Sequence, residues 1–202
     1  MFKYTIPQLL QFFTPSLIWR IKTNAKIVYL TFDDGPHPQI TEWVLSLLNQ
    51  YNAKATFFCV GENVTKFPET YSKIINSGNA VGNHTFNHLK GWETDNEEYF
   101  NNILKCKEVV DSNLFRPPHG RIKFSQIKKL KPQFRIIMWN ILTRDYDKNL
   151  DMNDAIKKIK RNIKNGSIIV FHDSEKAEKN MKIMLPEIMQ YLQKNGFEMR
   201  AL

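Results

Sequence analysis

Apolar residues in this chain gather into short, dense runs, and between the runs lie longer segments in which apolar positions recur every three or four residues. The runs are rich in β-branched and aromatic residues and end at Gly, Pro, Asn or Asp, which predicts strands at Ile27–Phe32, Ala55–Val60, Asn79–Asn83, Leu114–Arg116, Phe134–Trp139, Ser167–Phe171 and Phe197–Arg200. The segments between them predict helices at Ile40–Tyr51, Pro68–Ser77, Asn96–Ser112, Ser125–Lys131, Asn153–Lys164 and Lys179–Asn195. Ile156, Ile159 and Ile163, or Met184, Ile188 and Leu192, stand at helical intervals, and several segments close on Gly or Asn-Gly, as a helix stop does.

Strand and helix alternate, so the strands are expected to run parallel with helical crossovers, in a barrel or an open doubly wound sheet. The polar residues at the strand ends favour the barrel. Five apolar runs end in chemistry-bearing groups, in the stretches TFDDG, GNHTFNH, FRPPHG, MWNILTRDYD and IIVFHDS. A barrel lets many strand ends converge on one point, whereas an open sheet places its ligand at one switch point.

Composition adds bounds. With 202 residues, 42% of them hydrophobic and 24% charged, the chain suits one soluble domain with a sizeable core. Cys59 and Cys106 make no disulfide framework and read as buried thiols. The formal charge is +9, and residues 121–164 hold thirteen Lys or Arg against four Asp, an excess equal to the whole net charge. Such a segment is a set of solvated helix faces or a surface drawn to an acidic polymer or anionic membrane. No basic–aromatic interleaving marks a nucleic-acid surface, so nucleic acid is set aside. Residues 1–26 read as a flank packed on the outside of the domain. Its apolar stretch from Ile6 to Phe13 is broken by Pro7, Gln8 and Gln11, and no small-residue cleavage site follows. With no run near the ~18 apolar residues of a membrane span, the default location is cytoplasmic, with association at the cell envelope left open.

The candidate chemistry begins at Asp33 and Asp34. Alone, an Asp-Asp-Gly serves as well to start a turn or cap a helix. His84 and His88 have a spacing that on one helical turn projects both rings from one face, either as a surface pair or as a metal chelate. With a strand-end carboxylate, two imidazoles make the three-ligand shell of a catalytic zinc, a donor set that also accepts cobalt or nickel.

Taken in order, the five stretches resemble the motifs of the polysaccharide deacetylase family, also called the NodB homology domain, over about Ile27 to the C-terminus. The resemblance implies a single catalytic domain over residues 27–202, folded as a distorted (β/α) barrel of about seven strands. Its implied activity is metal-dependent removal of N-acetyl groups from N-acetylated amino sugars of a peptidoglycan- or chitin-like polymer. It also implies Asp34, His84 and His88 as metal ligands, Asp33 as general base, Arg116 as the partner of that base, and His172 as general acid oriented by Asp145. A backbone N–H at His119 would bind the oxyanion, and Ile169 would line the pocket for the acetyl methyl. Two departures stand out: His119 replaces the usual aromatic, and Leu142 replaces the first Asp of Asp-x-x-Asp-Trp, while Asp145 is kept and Tyr146 is conservative. Trp139 and Tyr146 suit a hydrophobic wall or a sugar-stacking surface, or equally the core. His37 has no counterpart and reads as loop chemistry. O-acetyl esters or other small amides would use the same pocket. A binding scaffold without activity is disfavoured, because it has no use for a full acid, base and metal set.

Overall fold

A computed structural model describes residues 4–5 and 14–202 of the chain. Among these residues lie nine strands and seven α-helices, alternating for the most part as expected. The strands are β1 (Leu17–Ile18), β2 (Ile27–Asp33), β3 (Ala55–Cys59), β4 (Ala80–Asn83), β5 (Leu114–Phe115), β6 (Arg135–Ile137), β7 (Ile141–Leu142), β8 (Ile168–His172) and β9 (Glu198–Met199). The helices are α1 (Pro38–Gln50), α2 (Gly61–Lys66), α3 (Pro68–Asn76), α4 (Asn96–Lys107), α5 (Phe124–Leu130), α6 (Met152–Asn162) and α7 (Glu178–Lys194).

The sheet runs β1-β6-β5-β4-β3-β2-β8-β7 with every strand pairing parallel, and β9 pairs with the start of β2. Its curvature follows from one side chain. Arg116, just beyond β5, reaches Asp33 at the end of β2 at 2.7 Å, although β4 and β3 lie between them. On a flat sheet three strand spacings would separate the two by about 14 Å. The sheet is therefore wound into a barrel, left unpaired between β1 and β7 among the described residues, and the C-terminal strand ends face one another across its mouth.

β2 is the central staff. Its IVYLTFD is buried along almost its whole length, as a parallel strand covered on both faces must be. Alternation splits it. Val28, Leu30 and Phe32 join Phe57, Ile169 and Phe171 under the helices, with Phe32 stacked on Phe57 at 5.0 Å. Thr31 and Asp33 point the other way, and Thr31 Oγ1 donates to Ile169 O while accepting from Arg116. Polar groups thus line the wall that leads to the cleft.

Three short elements lay beyond reach of the pattern. The two-residue strands β1 and β7 have no alternation to read, and α2 holds only six residues. β1 comes from the segment before residue 27, pairs with β6, and buries Leu17 and Trp19. The stretch from Ile6 to Phe13 lies outside the described residues. Helix α4 stops at Lys107, short of the expected Ser112, whose hydroxyl bonds Val81 O instead. Both cysteines are free and buried.

Candidate metal and acid–base site

The turn after β2 separates two adjacent carboxylates. Asp33 closes the strand, while Asp34 takes φ 83 and turns aside. That turn is clamped from β8: Asp173, fully buried, accepts from Gly35 N at 3.0 Å and from the Thr41 hydroxyl at 2.5 Å. A Cβ at Gly35 would lie 2.1 Å from Asp173 Oδ2, so only glycine lets this carboxylate close on the turn. Asn63 Nδ2 donates to Asp34 O, and Ser174 Oγ donates to its carboxylate.

Asp34, His84 and His88 each offer a ligand atom, all within 4.8 Å of one another. Asp34 Oδ1 lies 3.2 Å from His88 Nε2 and 3.8 Å from His84 Nε2. Nδ1 of the buried His84 is 2.8 Å from Arg116 O, which places the proton on Nδ1 and leaves the Nε2 lone pair toward Asp34. Burial, the largest influence, lowers His84 to about 4, so the ring is neutral as a ligand must be. Burial pushes Asp34 up, but its bond to His88 and the positive charge of His172 outweigh that and hold it well below the usual carboxylate range. Two imidazole nitrogens and one carboxylate oxygen fit a divalent ion of the zinc type.

The helical turn expected for His84 and His88 is not formed. Thr85 and His88 both have positive φ, at 65° and 59°, which no α-helix accommodates. Side chains satisfy the backbone in place of helical bonds: Asn83 accepts from Thr85 N, Asn102 from Phe86 N, and the Thr85 hydroxyl from Leu89 N. The loop still brings the rings to 5.1 Å.

Asp33 and Arg116 form a buried pair at 2.7 Å. All three guanidinium nitrogens are bonded, to Asp33, Thr31, Met138 O and Ile137 O, and the group lies over Phe58 at 4.0 Å. A buried charge is tolerable only with such pairing and bonding. At the end of β8, His172 Nδ1 meets Asp145 Oδ1 at 2.7 Å, and His172 N donates to Asp145 Oδ2 at 2.8 Å. One fully buried carboxylate thus holds both ring and backbone. Burial by itself lowers the His172 pKa, but the Asp145 charge and hydrogen bond more than reverse this, raising it to about 9. Asn180 Nδ2, on α7, donates to Asp145 O and secures the loop.

These groups open on one cleft of about 440 Å³. Asp33, Asp34, His84, His88, His119, Trp139, Tyr146 and His172 all line it, so the expected site residues are brought together with one exception among those meant to face it. Ile169 is fully buried and belongs to the outer cluster with Phe32 and Phe57, because strand period two turns it away from the mouth. Leu142 lines the cleft instead. Tyr146 sets its ring edge-on to His172 at 5.0 Å. The His119 ring packs edge-on against His88 at 4.8 Å, and its N–H donates to no group among the described residues. His37 caps α1 by accepting from Ile40 N. Sequence reasoning gave no role to Thr41, Asn63, Ser174 or Asn180, and for Asp173 the adjacency to His172 was the available signal. No helix among the described residues is long and apolar enough to cross a membrane.

Comparison with known proteins gives the family and the fold. Residues 20–131 match the family model described as polysaccharide deacetylase. A peptidoglycan-N-acetylglucosamine deacetylase of Bacillus cereus is 34% identical over 192 residues, covering 91% of this chain and 90% of that protein. A chitooligosaccharide deacetylase of Azorhizobium caulinodans is 33% identical over 162 residues, covering 76% and 77% respectively. A peptidoglycan N-acetylglucosamine deacetylase solved in complex with 4-naphthalen-1-yl-N-oxidanyl-benzamide superposes with a TM-score of 0.89 at 30% identity, over 98% of this chain and 95% of that one.

Proposed function

The chain belongs to the polysaccharide deacetylase family, and on that premise we propose that it hydrolyses the acetamide of N-acetylated amino sugars in a peptidoglycan- or chitin-like polymer, releasing acetate. The observation that carries this reading is the meeting, on one cleft, of a three-ligand metal trio with two separately partnered acid–base groups, Asp33–Arg116 and His172–Asp145. A peptidoglycan substrate would set the reaction at the cell envelope. Residues 27–202 carry every reacting group, and the segment before them supplies β1.

Asp34, His84 and His88 would hold the ion, zinc by preference, with cobalt and nickel accepting the same donors. When bound, the ion supplies Lewis-acid polarisation of the acetamide carbonyl and a lowered pKa for the attacking water. Asp33 takes the proton from that water as its oxygen bonds the carbonyl carbon. Arg116 pairs with Asp33 and holds its carboxylate in place. The free N–H of His119 donates to the oxygen on which charge develops. His172, protonated and aligned by Asp145, gives its proton to the nitrogen as the C–N bond breaks, so acetate and an amine leave. Trp139, Leu142 and Tyr146 wall the acetyl group and the sugar.

The test is acetate release from short N-acetylglucosamine oligomers by chelator-stripped protein, by the same protein after zinc is restored, and by Asp33→Asn. Zinc-dependent release that falls by about 10²–10⁴-fold or more in a variant still binding zinc is the expected result. Release that survives chelation sinks the metal assignment, and release from O-acetyl esters with none from the oligomers sinks the substrate reading.

A further inference from the structure

Three cations line the cleft without a part in the chemistry above: Lys90, Arg121 and Lys176. Only one acid answers the first two. Glu93 lies 3.1 Å from Lys90 and 3.6 Å from Arg121, so a single carboxylate serves both and one positive charge is left over. Lys176, also on the lining, sits 5.4 Å from the Tyr146 ring and adds to the excess. A cleft with low-dielectric walls concentrates such a field.

Beside this pair stands Trp92, 59% exposed, with the Arg121 guanidinium 5.6 Å from its ring centroid. An indole left in water on a frayed loop would mean little, but this loop is held. The buried Gln126 of α5 donates to Gly91 O at 2.8 Å and accepts from Lys123 N at 2.9 Å. Lys123 Nζ donates to Thr94 O at 2.8 Å, and the Thr94 hydroxyl donates to Lys90 O at 2.8 Å. A Cβ at Gly91 would come within 2.7 Å of Arg121 O, so the two segments touch through their backbones. The backbone that carries the indole is therefore held beside the segment that carries the guanidinium. An aromatic face takes the C–H face of a pyranose ring, and a guanidinium takes a carboxylate by paired N–H bonds. Glu93 already occupies the carboxylate position between the two cations.

We propose that Trp92, Arg121 and Lys90 form a subsite for a carboxylate-bearing sugar unit, adjoining the unit whose acetamide enters the cleft. The proposal rests on the deacetylase reading above and adds its substrate class, an anionic rather than a neutral chain. Glu93 acts as an internal competitor that a substrate carboxylate displaces.

Binding to immobilised, zinc-loaded full chain is measured by surface plasmon resonance, with acetate release read on the same preparation. The probes are two tetrasaccharides of equal length, one alternating N-acetylglucosamine with N-acetylmuramic acid and lacking peptide, the other of N-acetylglucosamine alone. The expected result is a Kd at least about tenfold lower for the anionic probe, a gap that narrows as salt rises from about 0.05 to about 0.5 M. Trp92→Ala and Arg121→Gln each weaken the anionic probe about tenfold. Glu93→Gln tightens it, a gain that misfolding does not produce. Equal affinity for the two probes overturns the proposal, as does a preference that these three variants leave unmoved. Preference without acetate release upholds the subsite and overturns the deacetylase reading, and release without preference does the reverse.

Discussion

Asp145 and Asp173 are both fully buried carboxylates near the end of β8, yet their neighbours give them opposite tasks. Asp145 accepts two hydrogen bonds from His172 and lifts that imidazole to about 9. Its replacement by Asn removes the charge that overcomes burial. We expect kcat of Asp145→Asn to fall about 10²–10⁴-fold, with the alkaline limb of its pH–rate profile displaced to lower pH, since the protonated acid then persists over a narrower range. An unmoved limb would exclude His172 as the acid. Asp173 forms no ion pair among the described residues. Burial pushes it from 3.8 to about 8, against the pull of Thr41 and the Gly35 N–H. The fold therefore favours its protonated form, so its contribution to stability is full below the unfolded value and is lost as pH rises through about 8. His84, lowered to about 4, titrates on unfolding only below its ordinary 6.5. Between pH 6.5 and 8.5 the metal-free chain should thus lose melting temperature through Asp173 and, in the same sense, through His172, raised from 6.5 to about 9, so that Asp173→Asn, neutral throughout, should lessen that slope in a calorimetric scan and leave the His172 part. Of the residues in this region, the motif named Asp145 and His172 outright. Asp173 was visible only as a neighbour, because its work is a contact with a turn 138 positions away.

At the scale of elements, turns rather than helices place the reacting groups. Asp34, His88 and His119 all carry positive φ, as does Thr85 between the two imidazoles, and each is held by side-chain bonds or packing from another element. The spacing of His84 and His88 was legible, while its local form was not, since four-residue separation suits a helix and this loop alike. The Asp34 turn has the least slack. Gly35→Ala drives a methyl group into the Asp173 carboxylate, for which overpacking costs about 1–3 kcal/mol. Disturbing such a support around a ligand typically lowers metal affinity about 10–100-fold. Both losses are expected together, read by thermal melting and by zinc competition against a chromophoric chelator. A variant that melts lower but binds zinc as before would dissociate the turn from the ligand.

For the whole molecule, winding the sheet is what makes a site from scattered motifs. A divalent ion that binds only the folded chain at about a thousand times its Kd stabilises it by about 4 kcal/mol, roughly 8–16 °C of melting temperature for a domain of this size. Zinc should produce such a rise in the native chain and in His119→Phe, and none in Asp34→Ala. A rise lost in His119→Phe would make His119 a fourth ligand.

The order of the longer strands and helices, their parallel run and the five polar strand ends were determined by the sequence alone, because apolar period and turn residues act locally. Only the tertiary structure decided which sides of β7 and β8 face the mouth, putting Leu142 of β7 there and Ile169 of β8 in the outer core. It also decided that residues before position 27 complete the sheet edge through β1, a pairing with β6 that no local pattern encodes. The cation pair beside Trp92 belongs to the same class. Lys90 and Arg121 lie 31 positions apart in sequence and share Glu93 only because Gln126 and Gly91 bring their segments into contact. Local propensity is written in neighbouring residues, whereas juxtaposition across a wound sheet depends on the closure of the whole.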